Sequence, residues 1–582
     1  MPVIDTQSAN DRMQGRGTRA SASANPDAAV ERCRACGKPG HSSSRSKLCE
    51  LHTKSTEELL EEAVGKSFER FTRKCTFDSV VKIQYRQALH AAVVQLSEFL
   101  RSVVIRSYLL ANAYLLEQQG DIPPAFFSQN CFYSIMQIVL NRLTERHPSL
   151  NSPPPTTLRR TSDVLADACI TLAASYSNHI VLNFEQRVKN YLKHKISTSF
   201  PTLKNTLVWK LIEKYALPRI ATGASDWPEE VPVSLILIAT VDDLCSQLES
   251  LVPRPLNQET LSASPGSYIP ALKFMLRELE LFHQQAQNDK TSDSSVLPRL
   301  YSIGPLPSMK WRFVSLNAYT LASIFPSIPT PNDPSDYLKV YNEVFDFQPL
   351  RIRSVEELRL KNQKFAFANR VLTDDHAVNF VLARQRGGTD SITHVQLGFE
   401  DFTDTEIETY FEVAAIDPGR TQAFTAAYGC GQESHQIRRC STSEYYAMTG
   451  SQRRNQKVQS EKRATDIASI ENQWPTGKTS NLDRFPLYIS HLLENFESLA
   501  RFYNSTRGKM AFENYQGVQR AREEMTNVLI NGGKKYNKTK RKKIRKNRKR
   551  RRGARGKKEK KKIADKWTKV NSHGSVPLEN AR

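Results

Sequence analysis

Apolar residues recur every three or four positions over most of the first half of this chain. Ala88, Ala92, Leu96, Phe99 and Val103 fall on one face of a predicted helix. After a proline-rich break at Pro148–Pro155, Thr161, Ser162 and Asp163 offer N-cap chemistry for a second long helix. Leu172, Tyr176, Ile180 and Phe184 carry its apolar stripe. The helical pattern continues to about Gln287, and Asn288–Ser295 reads as a linker. Near Tyr301 the texture changes to short strand-like runs among Pro, Gly and aromatic residues. Phe365–Asn369 and Ala377–Ala383 predict two strands around the polar turn Thr373-Asp374-Asp375. Phe411–Ile416 and Ala423–Tyr428 predict a hairpin around Asp417-Pro418-Gly419-Arg420. Helical periodicity returns after Tyr445, breaks at Trp474-Pro475, and resumes with Leu492, Phe496, Leu499 and Tyr503 on one side. The predicted class is α+β.

Charge changes this picture at one end. The 582 residues carry a formal charge of +23. From Lys534 to Lys562 there are 20 Lys and Arg against the single acid Glu559, a net of +19, which leaves +4 for the rest of the chain. A local excess of this kind calls for a polyanionic partner. Like charges this dense repel one another, so the segment from 531 to 582 is expected to be largely disordered alone and to order when phosphates neutralise it. Lys534, Lys535, Lys538, Lys540, Arg541, Lys542, Lys543, Arg545, Lys546 and Arg548 are the expected phosphate contacts. Few aromatics accompany them (Tyr536 and, beyond, Trp567), so base stacking is a minor part. The same run has the composition of a nuclear address, and the expected location is the nucleus. The N-terminus lacks an apolar signal core, and the longest near-apolar stretch, Val231–Val241, falls short of the about 20 residues a bilayer demands. No membrane partner is expected. No P-loop or dinucleotide fingerprint occurs, and no small-molecule substrate is evident.

Cysteine usage points to a metal at the other end. The nine cysteines are scattered except for Cys33-x2-Cys36-x4-His41-x7-Cys49-x2-His52. A CxxC turn supplies two zinc ligands from one knuckle, and Gly37 and Gly40 give the loop its backbone freedom. The first three ligands match a CCHC knuckle. The last gap is longer than usual, and His41 and His52 compete for the remaining position. Such a closed site is structural and leaves no open coordination position for catalysis.

Asp417 ends the apolar strand Val413–Ile416, whose small residues suit burial on both faces. An acid there serves equally as ordinary Asp-Pro-Gly turn chemistry or as the first carboxylate of an Mg²⁺-dependent nuclease. His435 and Cys440 show no spacing for a nucleophilic pair. The segments AAIDPGRTQAFTAAYG (414–429), STSEYYAMTGSQRR (441–454) and NGGKKYNKTKRKKIRKNRKR (531–550), behind a helical and then a strand-rich region, resemble the transposon-encoded, TnpB-like proteins called Fanzor. The resemblance is most specific from Phe411 to about Arg550. It implies an RNA-guided, Mg²⁺-dependent DNA endonuclease with DNA and a guide RNA as partners. It also implies a RuvC-like, RNase H-type domain in which Asp417 matches the first catalytic carboxylate. That family continues with a strand bearing a catalytic Glu, a CxxC…CxxC ribbon and a final Asp. No cysteine follows Cys440 here, so a catalytically incomplete copy is expected.

The expected organisation is a disordered stretch (1–31), a zinc-knuckle-like segment (32–53), a helical recognition-like domain (55–287), a β-rich wedge-like domain (300–400), a partial RuvC-like segment (408–530) and the basic tail (531–582). The competing expectation is a non-enzymatic zinc-knuckle and basic-tail protein that binds RNA or chromatin.

Overall fold

The computed structural model describes residues 32–44, 46–52, 54–141, 162–288, 297–331, 336–350, 352, 365–386, 398–429 and 436–539. The expected disordered stretch 1–31, the proline-rich break, most of the 288–295 linker, His435 and the tail from Lys540 onward lie outside them.

The fold mixes helices with two small antiparallel sheets. Helix α1 (Thr56–Val64) starts on a Ser55–Glu58 capping box and leads into strand β1 (Phe68–Thr76). Next come α2 (Ile83–Glu117), α3 (Gln129–Val139), α4 (Ser162–Val181), α5 (Phe184–Ser199), α6 (Leu235–Glu249) and α7 (Ile269–Asn288). Strands β2 (Val314–Leu316), β3 (Ala366–Thr373) and β4 (Ala377–Gln385) follow. Then come β5 (Ala414–Asp417), β6 (Gln422–Tyr428), β7 (Gln436–Ser441), α8 (Thr442–Thr449), α9 (Ser451–Ala464), α10 (Arg484–Glu494) and α11 (Ser505–Asn531). Shorter helices between them are left unlabelled.

Helix α2 is the axis of the molecule. Every residue from 99 to 113 is buried, so this stretch has no polar face and the single stripe expected from periodicity does not apply to it. At the exposed N-terminal end the buried positions are Leu89 and Val93, while Ala88 faces solvent. The core face there is thus turned one residue from the expected Ala88–Ala92–Leu96 stripe, because the larger side chains point inward. Among the described residues α2 alone is long and apolar enough to cross a membrane by length and composition. Here it is sheathed by protein. Arg101 and Arg106 interrupt its apolar run, which hid its length in the sequence. Buried Arg101 donates to the carbonyls of Ala500 and Tyr503 and lies over the Trp311 ring, tying α2 to the C-terminal helices. Val231–Val241, the longest near-apolar stretch of the sequence, leads into α6. Leu237 and Val241 are buried there, whereas Val233, Leu235 and Ile236 are exposed.

Leu172, Tyr176, Ile180 and Phe184 are buried as expected. Tyr176 meets Tyr108, Phe126 and Phe132 ring to ring and donates to the Tyr108 carbonyl at 3.1 Å. One hydrophobic cluster joins helix residues such as Val103 and Tyr176 to the strand residues Phe367, Val371, Phe380 and Leu382 and to Leu499 near the C-terminal helices. The helical and strand-rich stretches therefore share a core. Strand β1 lies inside the stretch expected to be helical and pairs with β4 along its whole length, in the order β1-β4-β3-β2. The expected hairpin β3–β4 is present. Its tip, however, is buried: Asp374 accepts from the backbone of His376 and Ala377, and Asp375 pairs with His90 on α2. Desolvation raises the Asp375 carboxyl above its usual range.

The second sheet has the order β5-β6-β7, with α8 and α11 across one face. Phe424, Ala426, Tyr428 and Cys440 pack there against Val528 of α11. Burial raises the Cys440 thiol pKa, as suits a core residue. Helix α11 approaches α8 through Gly517, where a Cβ would stand 2.1 Å from the Thr449 carbonyl oxygen. Gly517→Val is expected to destabilise the fold by about 1–3 kcal/mol, read as a lower denaturation midpoint.

Candidate metal centre and nucleic-acid interface

Among the described residues of 32–52, only the side chains of Cys33 and Cys49 are buried. No apolar core holds this segment. A tight turn does part of the work: Gly37 N–H donates to Cys33 O at 2.8 Å and Cys33 N–H to Lys38 O at 2.9 Å, with Gly37 and Gly40 at φ +73° and +96°. The turn brings the ligand atoms of Cys33, Cys36, His41 and Cys49 within 4.8 Å of one another. Cys33 Sγ and Cys49 Sγ are 3.7 Å apart, and Cys36 Sγ lies 3.1 Å from His41 Nε2. A tetrahedron with Zn–S bonds of about 2.3 Å has an edge of about 3.8 Å. The donor set therefore fits a zinc-type ion. Against the desolvation that raises it, the Cys33 thiol pKa is lowered by the backbone N–H groups of Cys36 and Ala35. Buried Cys49 is pushed up to about 11 by desolvation. An ion that displaces the protons relieves that cost.

The competition between the two histidines is resolved in favour of His41. His52 points away: its Nδ1 is 3.1 Å from Ser44 O and its Nε2 3.2 Å from Glu58 Oε2. It serves the α1 capping box instead. The Ser55 backbone N–H, first, and then the Ser55 hydroxyl and His52, hold the Glu58 carboxyl down to about 2. Its folded value lies below its unfolded value of 4.5, so the cap contributes stability above pH 4.5 and loses it as pH falls toward 2. His52→Ala is expected to leave the zinc content unchanged and to move the loss of the cap to higher pH, followed by α1 helicity.

Asp417 ends β5, opposite Thr425 of β6. Contrary to the expected burial on both faces, Ala415, Ile416 and Asp417 are exposed. The reason is topological: β5 is one of the two edge strands of the sheet, so Ala415 and Asp417 lie on the face away from the helices, while Ile416, on the helix-facing side, is left uncovered at the edge. Among the described residues, the only convergence of three or more potential metal ligands is the N-terminal one, so Asp417 stands apart from any such group. Thr403 caps an unforeseen helix at Asp404–Tyr410, and Asp401 accepts from Gly398 N–H, so these acids belong to local turns.

The tail leaves the fold at Gly532 and Gly533, whose φ angles of +75° and +51° end α11. The first two expected phosphate contacts are already engaged. Lys534 pairs with Glu524 at 2.9 Å, and Lys535 reaches Glu444 and the Arg439 carbonyl, both at 2.9 Å. With Tyr536 OH accepting from Arg439 N–H at 2.8 Å, they anchor the root of the tail to β7 and α8. Lys538 is exposed, while Lys540, Arg541, Lys542, Lys543, Arg545, Lys546 and Arg548 lie outside the described residues. Periodicity and charge density could not reveal the anchoring role, because Glu444 is 91 residues from Lys535 and Glu524 meets Lys534 only across the turn at Gly532 and Gly533.

No protein-family model and no curated protein matches the chain.

Proposed function

We propose that this chain is a nuclear nucleic-acid-binding protein of the transposon-derived, Fanzor-like kind, which retains strand binding and whose described residues offer Asp417 alone, an incomplete centre, for the catalytic carboxylates. The observation that carries this reading is the run from Lys538 to Lys562, 18 Lys and Arg with one acid, rooted on a folded sheet. Phosphates are the abundant polyanions that such a density retains. The resemblance supplies the kind of strand, a guide RNA with its DNA target. The antiparallel order β5-β6-β7, with a helix across one face and Asp417 at the end of its first strand, supports a partial RNase H-type unit. Mg²⁺ would bind at Asp417 only in a completed site, since paired metal ions demand several carboxylates.

The zinc-knuckle and basic-tail reading, with RNA or chromatin as partner, is favoured by a separate observation: the converging Cys33, Cys36, His41 and Cys49 set against the isolation of Asp417. The two readings share strand binding and differ over ancestry. The purified full chain is expected to bind oligonucleotides of about 20 nucleotides in about 50 mM salt. It is expected to copurify with RNA of defined sequence. A heterogeneous mixture would favour the second reading, and failure to bind any oligonucleotide would overturn both. Mg²⁺-dependent cleavage that disappears in Asp417→Ala would overturn the claim of an incomplete centre and exclude the second reading.

A further inference from the structure

The small sheet β5-β6-β7 has one face under helices and one without. Phe424, Ala426, Tyr428 and Cys440 turn toward α8 and α11. The residues between them turn the other way. Strand pairing sets Ala415, Ala427 and Ile437 in one row across the sheet, and Asp417, Thr425 and Arg439 in the next. Ala415 and Asp417 are exposed, Ala427 and Thr425 are half-buried, and Ile437 is 45% exposed. Among the described residues, none of these side chains joins a hydrophobic cluster. An antiparallel sheet with a wet face alternates apolar inward with polar outward. Here the first outward row is apolar from edge to edge, the pattern of a face that something covers.

The tail starts at the margin of this face. Tyr536 OH accepts from Arg439 N–H at 2.8 Å, and Lys535 Nζ donates to the Arg439 carbonyl at 2.9 Å. The chain therefore leaves the fold along the outer edge of β7, about two strand spacings of 4.8 Å from β5. Residues 540–582 follow, outside the described residues. Their one helical apolar stripe is Ile563, Trp567 and Val570, spaced i, i+4, i+7. Asp565, Thr568 and Lys569 fall on the opposite side of such a helix. Residues 540–562 link the root to this stripe, and at about 3.3 Å per residue they can reach any point of the sheet.

We infer that residues 563–570 fold back onto the open face of this sheet, with Ile563, Trp567 and Val570 laid on the Ala415–Ala427–Ile437 row. The Lys/Arg run is then held at both ends, as a loop rooted at Tyr536 and closed at Trp567. Shape agrees, because the alanines leave room for a large indole. Charge agrees, because Asp417 ends the neighbouring row and Lys566 flanks the stripe. Tethering selects this occupant over a separate partner. A segment on a short link meets its site at an effective concentration near millimolar, so a weak contact suffices. A phosphate strand suits the row poorly, since the row holds no cation and Asp417 stands beside it. The inference does not depend on what the lysine run binds.

Chymotrypsin cleavage after Trp567 in the full chain tests it, read as release of residues 568–582 by mass spectrometry. A segment docked about nine-tenths of the time is expected to be cut about tenfold more slowly than a synthetic 560–582 peptide. Ile437→Lys puts a charge in the row and is expected to raise the rate to that of the peptide. Ala415→Lys repeats the test at an exposed position of β5, should the first variant lower the denaturation midpoint. Cleavage of the unmodified chain at the peptide's rate would overturn the proposal. Protection that survives in a variant with an unchanged midpoint would do the same. Protection lost on dilution would also overturn it, by assigning the docked segment to a second copy of the chain.

Discussion

Replacing the 18 Lys and Arg between Lys538 and Lys562 by Gln, with Lys534 and Lys535 left in place, is expected to weaken oligonucleotide binding on the order of a thousandfold in low salt. The size follows from counterion release. A segment that meets about 6–10 phosphates displaces a similar number of condensed cations, and their entropy supplies most of the affinity. The fold should not notice. The substituted residues begin beyond the Tyr536–Arg439 hydrogen bond, and the ion pairs at Lys534 and Lys535 survive. Lys534→Gln with Lys535→Gln should behave in the opposite way. It removes two partners of Glu524 and Glu444, loosens the root of the tail, and changes binding far less. Fluorescence anisotropy with a labelled strand, beside a thermal denaturation of each variant, separates these outcomes.

Cys49→Ser is expected to reduce bound zinc from about one ion per chain to near zero, with loss of structure confined to residues 32–52. Structural zinc in small knuckles contributes about 10–16 kcal/mol of apparent binding free energy. Among the described residues of this segment only Cys33 and Cys49 have buried side chains, so no apolar packing there competes with the metal as a source of stability. The main core, which begins at Phe77, should keep its denaturation midpoint. Metal content by atomic absorption and protease sensitivity near Arg32 would follow the two effects. Loss of zinc in His52→Ala but not in His41→Ala would reverse the ligand assignment.

The readable parts of the fold were those in which one local pattern settled the outcome. The β3–β4 hairpin followed from two short apolar runs around a polar turn, and the Tyr176 face of α4 followed from a helical stripe. Strand β1 escaped notice because Arg70, Arg73 and Lys74 break its apolar pattern. It is a strand because β4 pairs with it across more than three hundred residues of chain. Asp374 and Asp375 read as a polar turn between two strands, yet Trp311, His90 and the β4 backbone close over them. Strand β5 read as buried because Ala and Ile suit an interior, and only the strand order shows it to be an edge. The candidate site behaved likewise. The cysteine spacing announced the metal centre, but the choice of His41 over His52 depended on the α1 cap. The charge count announced the tail, but the intramolecular work of Lys534 and Lys535 depended on the distant Glu444 and on the turn that folds Lys534 back onto Glu524.

A salt titration of strand affinity, run side by side on the native chain and on its Gln-substituted tail, puts the electrostatic claim to the sharpest trial. For the native chain, affinity should fall by roughly 10³–10⁵ between about 50 and 200 mM salt, and the substituted tail should give a much shallower line. Two parallel lines of equal height would contradict it, because the cationic segment would then hold no phosphates at all.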